Sequence, residues 1–178
     1  MDNTLPNVIN DTRQINIQGL IEQQDILSVR RQQQADPVIL KSVWAARAVG
    51  LLPLPWVDFF GLLTIQTNMV SELSKIYQVD FSVKKIRNLI LLILGSANPS
   101  WIATALLSNL SKLMPGVGLV GTIITQPVIT GAATYAIGKI FINHFELGGT
   151  LLDFDAKSTR QYFMQEFAKG TEKVKMNN

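Results

Sequence analysis

Asn88-Leu89-Ile90-Leu91-Leu92-Ile93-Leu94-Gly95 opens, and Thr134-Tyr135-Ala136-Ile137-Gly138 closes, a stretch whose one formal charge is Lys112. That lysine divides it into two uncharged runs, 88–111 and 113–138. At a helical rise of about 1.5 Å per residue, either run exceeds a hydrocarbon layer about 30 Å thick. Paired as a hairpin, the runs leave Lys84, Lys85, Arg87 and Lys139 on one side, with Lys112 at the far turn. This charge distribution matches the positive-inside rule, and the Lys112 stem is long enough to snorkel to headgroups. Gly118, Gly121, Gly131, Thr134 and Gly138 add small-residue spacings that permit close helix contact. The stretch therefore predicts a central apolar helical hairpin.

Interruptions temper that expectation. Asn88, Asn98, Pro99, Asn109, Pro115, Gln126 and Pro127 break the runs, and the mean hydropathy of +0.22 is modest for an integral membrane protein. A soluble bundle that buries these helices on every side is the alternative.

Outside the stretch the chain is ordinary. Charged side chains make up 16% of the chain, all but Lys112 lie outside the stretch, and the net charge is +3. Length and composition fit one domain and exclude disordered, collagen-like and coiled-coil classes. The absence of cysteine removes disulfide frameworks, thiol nucleophiles and cysteine zinc sites, and one histidine leaves little for metal catalysis. Arg30–Arg31 and Lys84–Lys85–Arg87 are the basic clusters; neither interleaves with aromatics, so nucleic acid is not an expected partner. The first residues lack a basic n-region and an apolar core, which predicts a cytoplasmic N-terminus.

Apolar spacing predicts helices throughout, and nothing alternates at period two for long. A Gln-rich helix runs from Thr12 to about Gln34 with a thin stripe of Ile17, Leu20, Ile21 and Leu27. Asp36-Pro37 reads as N-cap and first position of a second helix ending at Gly50. Leu51-Leu52-Pro53-Leu54-Pro55 breaks the chain, and Pro55 starts a long amphipathic helix to about Gln78. This segment is expected to be interfacial, re-entrant or packed inside protein, because spanning would strand Asp58 at mid-bilayer. Ser82 caps a helix from Val83 to Leu94, Asn98-Pro99 starts one reaching Lys112, and Met114-Pro115-Gly116 breaks it. Residues 117–144 hold one helix or two joined at Pro127, Leu147-Gly148-Gly149 stops it, and an amphipathic helix follows over about 158–173. The fold class is all-α: a helical bundle with flanking amphipathic helices. Three sections follow: a polar tail and helix (1–35), a membrane-associated helical domain (36–152) and a C-terminal helix (153–178).

Pro55, Val57, Gly61 and Gln66 recur at identical spacing as Pro115, Val117, Gly121 and Gln126, and Lys75 echoes Lys139 a turn later. A two-fold internal pseudo-repeat and chance similarity between apolar stretches both account for this. Chemistry-bearing motifs are scarce. No phosphate-binding loop occurs, and Gly116, Gly118 and Gly121 mimic a dinucleotide fingerprint without its strand or its distal acid. His144 reads as a helix C-terminal dipole residue, and Asp58 as a first-turn acid favoured by the dipole. No nucleophile–base pair assembles, so no enzyme activity, cofactor or metal is expected.

Gly50-Leu51-Leu52-Pro53-Leu54-Pro55-Trp56-Val57-Asp58, followed by Ile65-Gln66-Thr67-Asn68-Met69, resembles the bacterial domain of unknown function 697 family. Met114-Pro115-Gly116-Val117-Gly118 and Thr134-Tyr135-Ala136-Ile137-Gly138-Lys139 resemble its second half, so the likeness covers about residues 36–152. The resemblance implies a membrane-associated helical module through which a small GTPase acts. This chain has no GTPase domain, so that partner would act in trans. No catalytic residues carry over.

The function expected is thus a non-enzymatic anchoring or regulatory protein of a bacterial inner or internal membrane. Lipid, a GTPase or other protein, and further copies of the chain are its expected partners. The alternatives are a small transport or channel component, with Asp58, Gln66 and Gln126 along a path, and a soluble helical adaptor. The residues singled out for structure or function are Pro53, Pro55, Asp58, Gln66, Pro115, Gly116, Gly118, Gly121, Gln126 and Lys139.

Overall fold

A computed structural model describes residues 5–51, 55–97 and 119–176. Among them five helices follow one another: α1 (Leu5–Gly50), α2 (Pro55–Ile76), α3 (Val83–Ala97), α4 (Leu119–Glu146) and α5 (Arg160–Met176). The described residues contain no strand, so the chain is all-α. The predicted helix from Asn98 to Lys112 lies outside them.

α4 is the axis of the bundle, and α1, α2 and α5 pack around it. Ala132, Ala136, Ile137, Ile140 and Phe141 of α4 are buried against Ile39 and Val43 of α1, Met69, Val70 and Leu73 of α2, and Phe163 of α5. Small residues set the approach distances. A Cβ at Gly138 would lie 2.7 Å from Ile39 Cγ1, and one at Gly170 would lie 3.1 Å from the Ala132 backbone. Three isoleucines about one turn apart, Ile86, Ile90 and Ile93, turn one face of α3 into the core. Contacts with α2 on one side and α5 on the other hold α3 across the bundle.

Helix ends follow the local chemistry. At the end of α4, Gly149 N–H donates to the His144 carbonyl (2.9 Å) and Gly148 N–H to Phe145 (3.0 Å), with Gly148 at φ 79°. This is a Schellman closure, and glycine takes the left-handed position without a Cβ penalty. α2 closes the same way through Val79 N–H to Ser74 (2.8 Å), with Gln78 at φ 57°.

One sequence expectation is corrected and a second is narrowed. First, no helix begins at Asp36-Pro37: α1 runs unbroken for 46 residues, about 70 Å, through Pro37. The cap-and-proline signal cannot distinguish a helix start from a helix interior in which proline removes one N–H. Burial of Ala35, Ile39, Val43 and Ala46 offsets that loss. Asp36 accepts a hydrogen bond from Lys139 Nζ at 2.7 Å.

Second, the hairpin expected over 88–138 has its middle, residues 98–118, outside the described residues, and its two described ends pack against the bundle. Residues 88–97 belong to α3, which lays one face on the bundle, and α4 from Thr130 to Ile137 is buried. No helix among the described residues is long and apolar enough to cross a membrane. An uncharged helix reads alike whether lipid tails or its own chain surround it, and here α1, α2 and α5 surround it. α4 also continues through Pro127 as one helix.

The N-terminal half of α1 leaves the bundle. Among the described side chains Ala35 is the first that is fully buried, whereas Ile17, Leu20, Ile21, Ile26, Leu27 and Val29 are exposed. Residues 5–30 thus project as a helical arm about 40 Å long.

Candidate functional site

Three polar arrangements arise from this packing. The first is a seam buried between α1, α2 and α4. Gln126, Thr130 and Thr134 recur every fourth residue on α4 and share one helix face, and all three are buried. The Thr130 hydroxyl lies 3.1 Å from the carbonyls of both Gln126 and Ala46, binding α4 to α1. The Thr134 hydroxyl donates to the Thr130 carbonyl at 2.8 Å and accepts from Gln66 Nε2 at 3.4 Å. Thr67 and Ser74, also buried on α2, donate to the carbonyls of Leu63 (2.6 Å) and Val70 (2.8 Å). Such back-bonding satisfies hydroxyls within an apolar interior. Gln66 Oε1 is buried without a partner. The seam fixes helix register, and Arg47, buried on α1 against Gly131, is the ionisable side chain beside it.

The second lies along α4 and α5. Lys139 pairs with Asp36 and sits 5.8 Å from the Tyr135 ring centre; Lys173 sits 5.0 Å from the same ring. Glu166 is buried and accepts from exposed Lys169 at 2.6 Å, a bond that raises the lysine pKa. Burial, then the Glu166 charge, pushes the Tyr162 hydroxyl up. These side chains line a groove of about 460 Å³. Each charge in the two ion pairs already has an opposite neighbour, so the groove stabilises the α4–α5 contact more than it selects a ligand.

The third closes the opposite end of the bundle. Tyr77 OH donates to Glu146 Oε1 at 2.7 Å beneath the Arg31 guanidinium, 5.8 Å from the ring centre. Burial first, then that hydrogen bond, raises the Tyr77 pKa. His144 Nε2 donates to the Thr150 carbonyl at 2.7 Å, and its ring meets Phe154 edge-on at 4.8 Å. The histidine thus fastens the α4–α5 connection. Asp153 accepts from both the Thr150 hydroxyl and the Thr150 N–H (2.7 Å each), which lowers its pKa. No three His, Cys, Asp or Glu side chains gather to hold a metal among the described residues.

The singled-out residues separate accordingly. Gln66 and Gln126 enter the seam, and Lys139 joins α4 to α1. Pro55 starts α2 and Asp58 lies in its first turn, while Gly121 lies in the first turn of α4. Pro53, Pro115, Gly116 and Gly118 lie outside the described residues. The pairs Tyr77–Glu146 and Asp36–Lys139, separated by 69 and 103 residues, carry no local sequence signal and were not anticipated.

No solved structure matches the chain. Magnetosome membrane protein 22 of Magnetospirillum gryphiswaldense is 36% identical over 143 residues, spanning 80% of this chain and 73% of that protein. The family described as Domain of unknown function (DUF697) matches residues 16–171, and the chain belongs to that family.

Proposed function

We propose that this chain is a membrane-associated helical protein without catalysis of its own, serving to anchor or regulate a protein partner such as a small GTPase. One observation carries the reading. Large apolar side chains are exposed along the α1 arm and at the α1–α2 corner, while the buried polar groups serve to hold helices together. Such surface calls for lipid or protein to cover it. The name of the Magnetospirillum relative supports the membrane, here a bacterial inner or internal one. The family resemblance supports the GTPase, with the projecting arm as its landing place. Cell fractionation tests the core of the proposal. The chain should sediment with membranes and be released by detergent. Recovery in the supernatant as a monodisperse species without detergent refutes it.

A further inference from the structure

The two ends of the bundle differ in a way that orients it. At one end the C-terminus of α1 meets the start of α2, where a Cβ at Gly61 would lie 3.3 Å from Val49 Cγ1. Here Trp44, Leu51, Phe59 and Phe60 are 53%, 56%, 48% and 61% exposed, and the two phenylalanine rings meet edge to face at 5.6 Å. The charge-free segments 48–57 and 119–138 also meet here: a Cβ at Gly50 would lie 2.7 Å from Thr130 Oγ1 and 3.4 Å from the Gln126 carbonyl.

Cations lie on one side of this apolar end. Arg47 is buried there, its guanidinium 4.3 Å from the Trp44 ring centre. Arg47 and Val174 both press on Gly131, which brings Lys173 and Lys175 of the last turn of α5 alongside. Among the described side chains, Glu172 is an acid beside Lys173. Exposed aromatics edged by basic side chains suit the headgroup layer of an anionic bilayer, where rings enter the interface and cations meet phosphate.

The opposite end also exposes apolar side chains, Phe81, Leu147 and Leu152, beside Arg31 and Lys85. Yet α1 passes that end at Arg31, beside Tyr77, and its arm continues beyond it. An arm about 40 Å long holds that end off any flat surface.

We infer that the α1–α2 corner, with Trp44, Leu51, Phe59 and Phe60 as insertion points, is the lipid-contacting surface, and that the bundle stands end-on with its arm pointing away from the bilayer. This rests on the proposed membrane association and adds its place and orientation. The native chain has no cysteine, so Leu51→Cys, Phe60→Cys and Leu20→Cys each offer one site for an environment-sensitive fluorophore. The full-length labelled variants are floated with phosphatidylcholine vesicles, with and without phosphatidylglycerol. Labels at 51 and 60 should shift to the blue on vesicles, more with phosphatidylglycerol, and the label at 20 should not. Phe59→Ser/Phe60→Ser should weaken flotation about tenfold while leaving the helical circular dichroism intact. Flotation with a shift at 20 and none at 51 or 60 overturns the orientation and leaves membrane association standing. Absence of flotation in every composition overturns both.

Discussion

Gln66 is the residue at which the seam is most directly testable. Its side chain is fully buried, its Nε2 reaches Thr134 Oγ1 only at 3.4 Å, and its Oε1 has no partner. A buried acceptor left unpaired costs about 1–3 kcal/mol, while a hydrogen bond at the outer limit of length returns less than the usual value of about 1 kcal/mol. Gln66→Met keeps the length and helix propensity of the side chain and removes both polar atoms. It creates no new orphan, because the Thr134 hydroxyl keeps its 2.8 Å bond to the Thr130 carbonyl. The expected result is stabilisation by about 1 kcal/mol, which raises the unfolding midpoint of a domain this size by about 2–4 °C. Gln66→Ala removes the same polar atoms but leaves a cavity, and should cost about 2 kcal/mol relative to the methionine variant. Urea or thermal unfolding followed by helical circular dichroism reads both. A Gln66→Met protein less stable than the parent by about 1 kcal/mol or more would refute the reasoning, since it would mean that the amide does more for the fold than its geometry implies.

Further outcomes follow from the same packing. Gly138→Ala should destabilise by about 1–3 kcal/mol, because its Cβ would meet Ile39 Cγ1 at 2.7 Å and Cδ1 at 2.8 Å in a filled interior. Gly95→Ala, in α3 with nothing within 4 Å of the new Cβ, should stabilise by about 0.5–1 kcal/mol; unfolding midpoints that rank the two oppositely would contradict the packing described. Tyr77→Phe should lower stability by about 1 kcal/mol by removing the donor to Glu146, and it should remove an alkaline dependence. The Tyr77 pKa is raised on folding, so its contribution is complete below the unfolded value of about 10 and lost as pH rises through the folded one. Asp153 shifts the other way. Its contribution is complete above the unfolded value of about 4 and lost as pH falls through the lower folded one, so Asp153→Asn should flatten the acid limb of a denaturant-midpoint profile. An unchanged acid limb would show that the Thr150 bonds do not form in solution.

Sequence alone determined what depends on neighbours in the chain. Period-3.6 apolar spacing identified α2, α3 and α5, Pro55 marked where α2 begins, and Leu147-Gly148-Gly149 marked where α4 stops. Each is a local effect, since propensity, ring closure and left-handed glycine act within one or two turns. The lack of period-two alternation likewise set the all-α class. The motif residues at 50–58, 65–69 and 134–139 carried the family.

Tertiary structure decided everything that depends on what lies across the interface. Asp36-Pro37 had the chemistry of a helix start, but burial of residues on both sides of it made it the middle of α1. The uncharged part of α4 from Gln126 to Gly138 reads alike in lipid and in a packed core, because both set the same demand, no unpaired charge; only the positions of α1, α2 and α5 reveal which of the two it meets. The Tyr77–Glu146 and Asp36–Lys139 pairs, and the gathering of Trp44, Phe59, Phe60 and the α5 cations at one end, join positions far apart in the chain. Their proximity follows from helix packing, for which a linear pattern of residue types carries no distance.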